Sequence, residues 1–433
     1  MIDLAKKTFH LTRRTAAKIW LSLLPAKHIA ITGSQGKTST TTLVYNILKK
    51  FFPGKKEIIR TDINLDTIYN IPITALKASP KTKFIVFETG IDKKNEMDFH
   101  LQLINPFIAV LTGISPVHAD DQHLGSLENI IKEKHKLPLA VKPSGFVVLN
   151  HTDKNVRAVK KTLKTKKIIF YGKNPRYCQI FFKKEPEVTL SGTKISFFFK
   201  YTRSKRHEVS LTTPLVGIHH IYNIMAAFGV LMAICRYQGK NYFPKNWINK
   251  FVEAVEQTAP LKGRMSIEKG PKDTIILNDS LRANPASSRA GIITFSQIKH
   301  KGRRLVVMGE MGELGTYAKK EHRKIGEITA SLDNIDFFIG IGDLHKFSTE
   351  KIREKNKRIR VFNPKNVIEA AEILKKIIKP NDFIYLKSSL LKHIERVLLI
   401  LQNKKVGCST ISCPFYHPCQ KCQYLEKGYY PTD

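Results

Sequence analysis

The sequence predicts an α/β protein: a P-loop central domain with a mainly parallel sheet, followed by a C-terminal Rossmann-like α/β domain. Short apolar runs rich in β-branched residues alternate with stretches of helical apolar spacing along most of the 433 residues. A glycine-containing loop, TGSQGKTST, separates one such run from a helix-like stretch. A second strand–helix series follows PLKGR (260–264), whose Pro and Gly punctuate the chain between two periodic segments. The expected division is a basic amphipathic helix over 1–26, a central domain over 27–262, a C-terminal domain over 263–405 and a Cys-rich tail over 406–433.

Taken in order, MIDLAKKTFHLTRRTAAKIWLSLLPA (1–26) has basic amphipathic helical character. It lacks the long apolar stretch and small-residue cleavage site of a secretory signal. Two roles stay open for it: a helix packed on the first domain, or one resting on an anionic membrane surface. LPAKHIAIT then reads as a buried strand and TLVYNILKKFF as the helix after the glycine loop. FIVFETG (84–90), FIAVLTGI (107–114) and FVVLNHTD (146–153) are further strands of a parallel sheet. The aromatic-rich alternation of 178–213, as in KISFFFKYT, suggests an antiparallel insertion. TIILND (274–279), RLVVMGE (304–310), FFIGIGD (337–343) and DFIYLKS (382–388) are the strands of the second domain.

The loop Gly33-Ser34-Gln35-Gly36-Lys37-Thr38-Ser39 has the physics of an anion site. Its glycines let backbone N–H groups approach a phosphate, and the following helix N-terminus favours negative charge. Lys37 would reach the outer phosphates of a nucleotide, and the Thr38 hydroxyl would ligate Mg2+. The spacing departs from the commonest phosphate loop, which places a glycine where Ile31 stands. In parallel sheets ligands gather at the carboxyl ends of strands. Gly33, Glu88 and His118 all lie at or just beyond such ends, which is a physical reason to group them.

The charge balance is extreme: 73 Lys and Arg against 36 Asp and Glu, a net charge of +37. Such a field attracts polyanions, anionic lipid or phosphorylated substrates. The basic residues are spread along the chain, and no recognition-helix or RNP signature accompanies them, so no nucleic-acid partner is expected. No apolar run reaches bilayer-spanning length, and a cytoplasmic enzyme is expected. Cys408, Cys413, Cys419 and Cys422 fall within CSTISCPFYHPCQKC, with His417 among them as a reserve ligand. In a reducing compartment that clustering argues for a metal, with structural Zn2+ ahead of an iron–sulfur cluster or no metal.

Several motifs in one order resemble the Mur ligases, ATP-dependent enzymes that form amide bonds. TGSQGKTST is similar to their short phosphate loop, and ETGIDKKNEM to a following acidic segment. INPFIAVLTGISPVH, LGSLENIIKEK and GIHHIYNIMAA resemble further central-domain segments, and NDSLRANPASS and VVMGEMGELG the C-terminal ones, closest to the MurF type. The resemblance implies that a peptide carboxylate attacks the γ-phosphate of ATP, and that an incoming amino acid or dipeptide amine then displaces phosphate from the acyl phosphate. It places Mg2+ on Thr38, Glu88 and His118 and a carbamylated lysine at Lys134. It puts Asn223 at the adenine, Arg264 near the phosphates and Asp279 near the ribose, with ATP between the two domains. Asn64 would lie near the acceptor peptide, and Asn284, Ser287, Glu313 and His322 on the incoming-amine side.

The chain departs from the MurF pattern in three places. Only 26 residues precede the first strand, where that type carries a domain for a UDP-linked substrate. Leu281-Arg282 and Lys387-Ser388-Ser389-Leu390 replace Y-N and K-G-S-R in the half that selects the amine. The Cys-rich tail is the third. The function expected is therefore a ligase acting on an anionic cell-wall precursor peptide; a lipid-linked wall precursor or a folate or polyamino-acid acceptor is the alternative.

Overall fold

The structure, a computed structural model, describes residues 2–63, 66–202, 205–240, 242–415 and 417–429, with side chains from residue 8 onward. Asn64 lies outside the described residues. The chain forms two compact units: residues 1–187, 194–214 and 219–258 make the first, and 188–193, 215–218 and 259–433 the second.

The first sheet has ten strands: β1 Lys27–Thr32, β2 Ile58–Arg60, β3 Phe84–Glu88, β4 Pro106–Leu111, β5 Phe146–Asn150, β6 Ile168–Gly172, β7 Ile180–Phe181, β8 Glu187–Thr189, β9 Gly192–Lys200 and β10 Arg206–Thr213. Their order is β10-β9-β7-β6-β5-β4-β1-β3-β2, with β8 beside β9. From β2 to β7 every pairing is parallel, and β7 meets β9 antiparallel. Parallel strands covered on both faces read as unbroken apolar runs, and Ile29, Ala30 and Ile31 of β1 are fully buried. β10 instead alternates, with Val209, Leu211 and Thr213 inward and Glu208, Ser210 and Thr212 exposed. The expected antiparallel insertion is this edge. Because β1 lies between β3 and β4, the chain winds away from it in both directions, and the carboxyl end of β1 is the switch point where ligands gather in such sheets.

The helices of this unit are α1 Ile2–Leu23, α2 Lys37–Phe51, α3 Thr67–Leu76, α4 Glu96–Leu101, α5 Leu127–Leu139, α6 Lys154–Ala158, α7 His220–Tyr237 and α8 Lys245–Glu256. α7 is the one described helix long and apolar enough to cross a membrane, yet 83% of it is buried against the unit's own core. α1 packs on α3, Ala17 and Leu21 of α1 are buried, and Trp20 Nε1 donates to the Ala78 carbonyl at 2.9 Å. The Arg14 guanidinium lies over the Phe99 ring and donates to that residue's carbonyl. Phe9, Leu11, Ile19 and Leu23 of the same helix remain exposed.

The second sheet contains β11 Ser266–Lys269, β12 Ile275–Asp279, β13 Arg304–Gly309, β14 Phe337–Ile341, β15 Arg360–Phe362 and β16 Phe383–Lys387, in the order β11-β12-β16-β13-β14-β15. All its pairings are parallel except that of the edge strand β11. The helices are α9 Pro285–Gln297, α10 Ala318–Ala330, α11 Lys346–Lys355, α12 Val367–Ile377 and α13 Glu395–Leu401. Alternate residues of the buried strands feed two apolar cores, one containing Val306, Met308 and Phe338 and the other Leu305, Val307 and Ile339. Val188 and Val216, from the two short early strips of chain, belong to the first of these.

Candidate active site

The glycine loop joins β1 to α2 and is held in a shape few residues could adopt. Gly36 is left-handed at φ 79°, and a Cβ there would lie 2.5 Å from Asn223 Oδ1. At Gly33, φ is 152° and a Cβ would stand 2.0 Å from Thr112 Oγ1. The segment after β4 braces the loop. Ser34 N–H donates to the Gly113 carbonyl at 2.7 Å, Thr112 Oγ1 to the Gln35 carbonyl at 2.5 Å, and Ser115 N–H to Ser34 Oγ at 3.0 Å. α2 begins at Lys37, so its first amides face the loop, as an anion site requires.

Lys37 Nζ donates to the Gly33 carbonyl at 2.7 Å, folded back over the loop it belongs to. Thr38 Oγ1 donates to Glu88 Oε1 at 3.0 Å. Glu88 is held at the end of β3 by its own N–H, which donates to Thr61 Oγ1 at 2.9 Å. The hydroxyl and carboxylate thus present hard oxygen donors side by side, a donor set suited to Mg2+. Ser39 is half-buried on the same turn, and Asn223, on the first turn of α7, lies beside Gly36 and Thr40 at the phosphate loop itself.

His118 has left-handed backbone at φ 62°, and its Nε2 is 3.2 Å from Asp92 Oδ1. Lys134 is 1% exposed on α5, and of the three lysines in that stretch it alone is buried. Burial pulls its ammonium pKa well below the usual lysine range; Lys37 adds to the shift, and Asp92, Glu96 and Glu133 oppose it. Glu96 is itself pushed up by burial, against the N–H groups of Asp92 and Lys93 that donate to it. Lys134 is therefore distinguished from Lys132 and Lys136 by its environment as well as by its place in a motif. Sequence reasoning missed Asp92, Thr61 and Thr112, which hold the named residues in place. Their only signal was position, just beyond or beside strand ends.

In the second unit, Asp279 ends β12 and its Oδ2 accepts from Lys387 Nζ at 2.5 Å and from the Tyr385 hydroxyl at 3.2 Å. Burial lowers the Lys387 pKa; Asp279 opposes this, and Arg264, close by, reinforces it. Asn284 caps α9: its Oδ1 accepts from Ser287 N–H at 2.9 Å, and Ser287 Oγ accepts from Asn284 N–H at 3.1 Å. His322 is fully buried, accepting from Met311 N–H at 3.2 Å and donating to the Ala318 carbonyl at 2.8 Å, so it shapes the loop carrying Glu313. At Glu310 burial acts to raise the pKa, but Leu344 N–H and Lys392 Nζ, at 3.0 and 2.9 Å, outweigh it and the net shift is downward.

The tail cysteines are all free thiols, with Cys408, Cys413 and Cys419 buried. Burial raises the Cys413 thiol, and Cys408 and Cys422 contribute in the same direction, which puts these sulfurs in one neighbourhood. The four have not closed to a tetrahedron: the compact ligand trio here is His393, Glu395 and Cys419, with ligand atoms within 4.8 Å of one another. Both nitrogens of His393 are engaged, with Glu395 Oε1 and the Phe415 carbonyl, each at 2.8 Å. His417 is exposed and stacks on Phe415.

A glycine loop at the switch point of a parallel sheet, followed by Lys and Thr at a helix start and faced by a carboxylate, defines a nucleotide-binding α/β protein. The family models for the Mur ligase middle domain and the Mur ligase glutamate ligase domain match residues 31–231 and 263–390, and the chain belongs to the Mur ligase family. It is similar to the UDP-N-acetylmuramoyl-tripeptide–D-alanyl-D-alanine ligase of Borreliella burgdorferi, 28% identical over 382 residues, covering 87% of this chain and 75% of that one. The ligase of the same name from Haemophilus influenzae is 24% identical over 329 residues, covering 76% of this chain and 66% of that one. Among solved structures, a MurF ligase from Thermotoga maritima in complex with ADP matches with a TM-score of 0.71 at 21% identity, covering 91% of this chain and 84% of that one.

Proposed function

We propose that this chain is a cytoplasmic ATP-dependent ligase that joins an amino acid or dipeptide amine to the carboxylate of a cell-wall precursor peptide. The observation that carries this reading is the cluster of Lys37, Thr38 and Glu88 at the carboxyl ends of β1 and β3. The acceptor's carboxylate oxygen attacks the γ-phosphorus of ATP, and ADP leaves. The amine nitrogen then attacks the acyl carbon, phosphate leaves, and the nitrogen gives up a proton. The loop amides and Lys37 hold the triphosphate, with Lys37 exchanging the Gly33 carbonyl for phosphate oxygen.

Mg2+ would be held by Thr38, Glu88 and His118, and when bound it offsets the charge of phosphate and carboxylate. Burial lowers the Lys134 pKa against the opposing charges of Asp92, Glu96 and Glu133, and this lysine is the one assigned to add CO2 and become a carbamate. Asn223, Arg264 and Asp279 are assigned to nucleotide binding, and Asn284, Ser287, Glu313 and His322 to shaping the amine side. Zn2+ is the ion assigned to Cys408, Cys413, Cys419 and Cys422. A lipid-linked acceptor is the second reading, favoured by the exposed Phe9, Leu11, Ile19 and Leu23 on a helix that also carries Arg13 and Lys18.

The test is phosphate release from ATP with a panel of UDP-linked, lipid-linked and folate-type acceptors and mixed amines, with products identified by mass spectrometry. A peptide-lengthened muramoyl product supports the proposal. Release that depends on a folate acceptor, or on DNA or RNA alone, would overturn it.

A further inference from the structure

The chain beyond Val406 has almost no regular structure of its own: among the described residues it forms one 3-10 turn, Cys419–Lys421. Among the described residues its buried side chains are those of cysteine, while Phe415, Tyr424 and Tyr429 pack ring to ring and are half-buried. Cys408, Cys413 and Cys419 are 5%, 8% and 6% exposed, while Ile411 is on the surface. The segment folds back on itself where the Gly407 and Cys408 N–H groups both donate to the Leu425 carbonyl, at 2.9 and 3.1 Å. Such a strip is too short to build an apolar core, and small segments of this kind are held by metal or disulfide.

Arg396 gives a second, independent observation. It is 1% exposed, and its guanidinium donates to the carbonyls of Lys392, His393, Cys408 and Thr410 and, at 3.1 Å, to Cys408 Sγ. Among the described residues this buried cation has no carboxylate in hydrogen-bond contact. A buried charge is costly without an opposite one, and four neutral thiols supply none. Four thiolates around a divalent cation carry a net charge of −2, and an N–H donated to a ligating sulfur is a common outer contact of such centres.

The tail also touches one place in particular. Cys413 N–H donates to the Leu391 carbonyl at 2.8 Å, Lys392 Nζ to Ser412 Oγ at 2.8 Å, and His393 Nε2 to the Phe415 carbonyl at 2.8 Å. This segment directly follows the Lys387-Ser388-Ser389 motif. It reaches the Gly309–Gly312 loop through Lys392 Nζ on Glu310 Oε2 at 2.9 Å, and Gly312 N–H donates to Ser389 Oγ at 3.0 Å.

We infer that Cys408, Cys413, Cys419 and Cys422 bind one zinc-class cation as thiolates and that the resulting knuckle braces the Leu391–Arg396 segment and, through Lys392 and Glu310, the amine-side loop. The effect on the amine rests on the ligase reading above; the metal and the brace do not. Binding releases four thiol protons to solvent and changes no oxidation state.

The experiment uses the full chain purified without added metal. Elemental analysis should find about one zinc per chain by the ligand count. Cobalt substitution should give intense d–d bands and a thiolate-to-cobalt charge-transfer band. Arg396→Lys keeps the charge but loses the fork, and should weaken zinc affinity by roughly 10–100-fold, as outer contacts do. Chelation, reversed by zinc, should speed amide exchange over residues 388–396, and Cys422→Ser should do the same with unchanged far-ultraviolet circular dichroism. If turnover is measurable, KM for the amine should rise while KM for ATP holds. Metal-free protein with four titratable thiols, with disulfides, or with an iron chromophore would overturn the zinc assignment. Zinc present with unchanged exchange at 388–396 would overturn the brace. Zinc and exchange as expected, with no acceptor turned over, would refute only the ligase reading.

Discussion

Lys37 shows how much a single position carries. Its ammonium donates to the Gly33 carbonyl within its own loop and the residue is only half-buried, so removing it should leave the fold intact. Lys37→Ala should cut acceptor-dependent phosphate release by roughly 10²–10³-fold, the range for a lost charge-stabilising donor, with thermal stability unchanged. Near-normal turnover would refute the phosphate-loop assignment. Glu88→Ala and His118→Ala should retain ATP binding but lose most positional isotope exchange in ATP, because both are assigned to the phosphoryl-transfer step. Normal exchange in both would remove them from the metal set. These residues were legible because their types sit at a readable loop and at strand ends. Asp92 and Thr61 were not, because an ordinary polar residue becomes informative only when folding places it against His118 or Glu88.

Buried imidazoles add a pH dependence at the same scale. Burial lowers His28 and His100 to about 4 from an ordinary 6.5, so each is neutral in the folded chain. Below 6.5 the unfolded chain takes up protons that the folded chain refuses. Stability is therefore full above 6.5 and is lost as the pH falls toward 4, by up to about 3 kcal/mol for each group. His28 Nδ1 accepts from Asn105 N–H at 3.1 Å, and His28→Asn can offer an oxygen in its place. Urea unfolding at pH 7 and pH 4.5 should show a smaller acid loss in that variant than in the parent; an equal loss would mean His28 is not the group titrating.

At the scale of elements, the long buried strands were visible as apolar runs, and their parallel pairing followed from the helices between them. β2 and β7, with three and two residues, left no run to read, because pairing with a neighbour rather than local composition defines them. α9 shows an element explaining residues that a motif had marked for chemistry. Asn284 and Ser287 form a reciprocal cap, which leaves their backbone and side-chain polar groups largely committed to the helix start. Asn284→Ala should cost about 1 kcal/mol in stability, as lost caps do. Steady-state kinetics would separate the roles: KM for the amine should shift by no more than the stability loss explains. A large KM effect in a stably folded variant would return Asn284 to substrate contact.

For the whole molecule, the net charge of +37 opposes compaction and attracts anionic reactants at once. Salt should therefore act in two directions. Raising it from about 0.01 to 0.3 M shortens the screening length several-fold, which should raise the melting temperature while raising KM for ATP and for an anionic acceptor. Melting curves and initial rates across that series are the check, and a KM insensitive to salt would show that the excess charge lies away from the reactants' path. The charge was fully legible in the sequence; its distribution over the two units had to await the fold.

The second unit draws Val188–Thr193 and Leu215–Ile218 from far upstream, and Val188 and Val216 help fill one of its cores. A gene cut at residue 259 would strand those valines on the wrong fragment, leaving each product with apolar surface that its own residues cannot cover. Exchange of the second unit between related ligases is hindered in the same way, since a single crossover at that point brings a sheet without its two upstream strips. Heredity must then treat the two halves as a linked pair, so change in the second unit is more readily reached by point substitution than by shuffling.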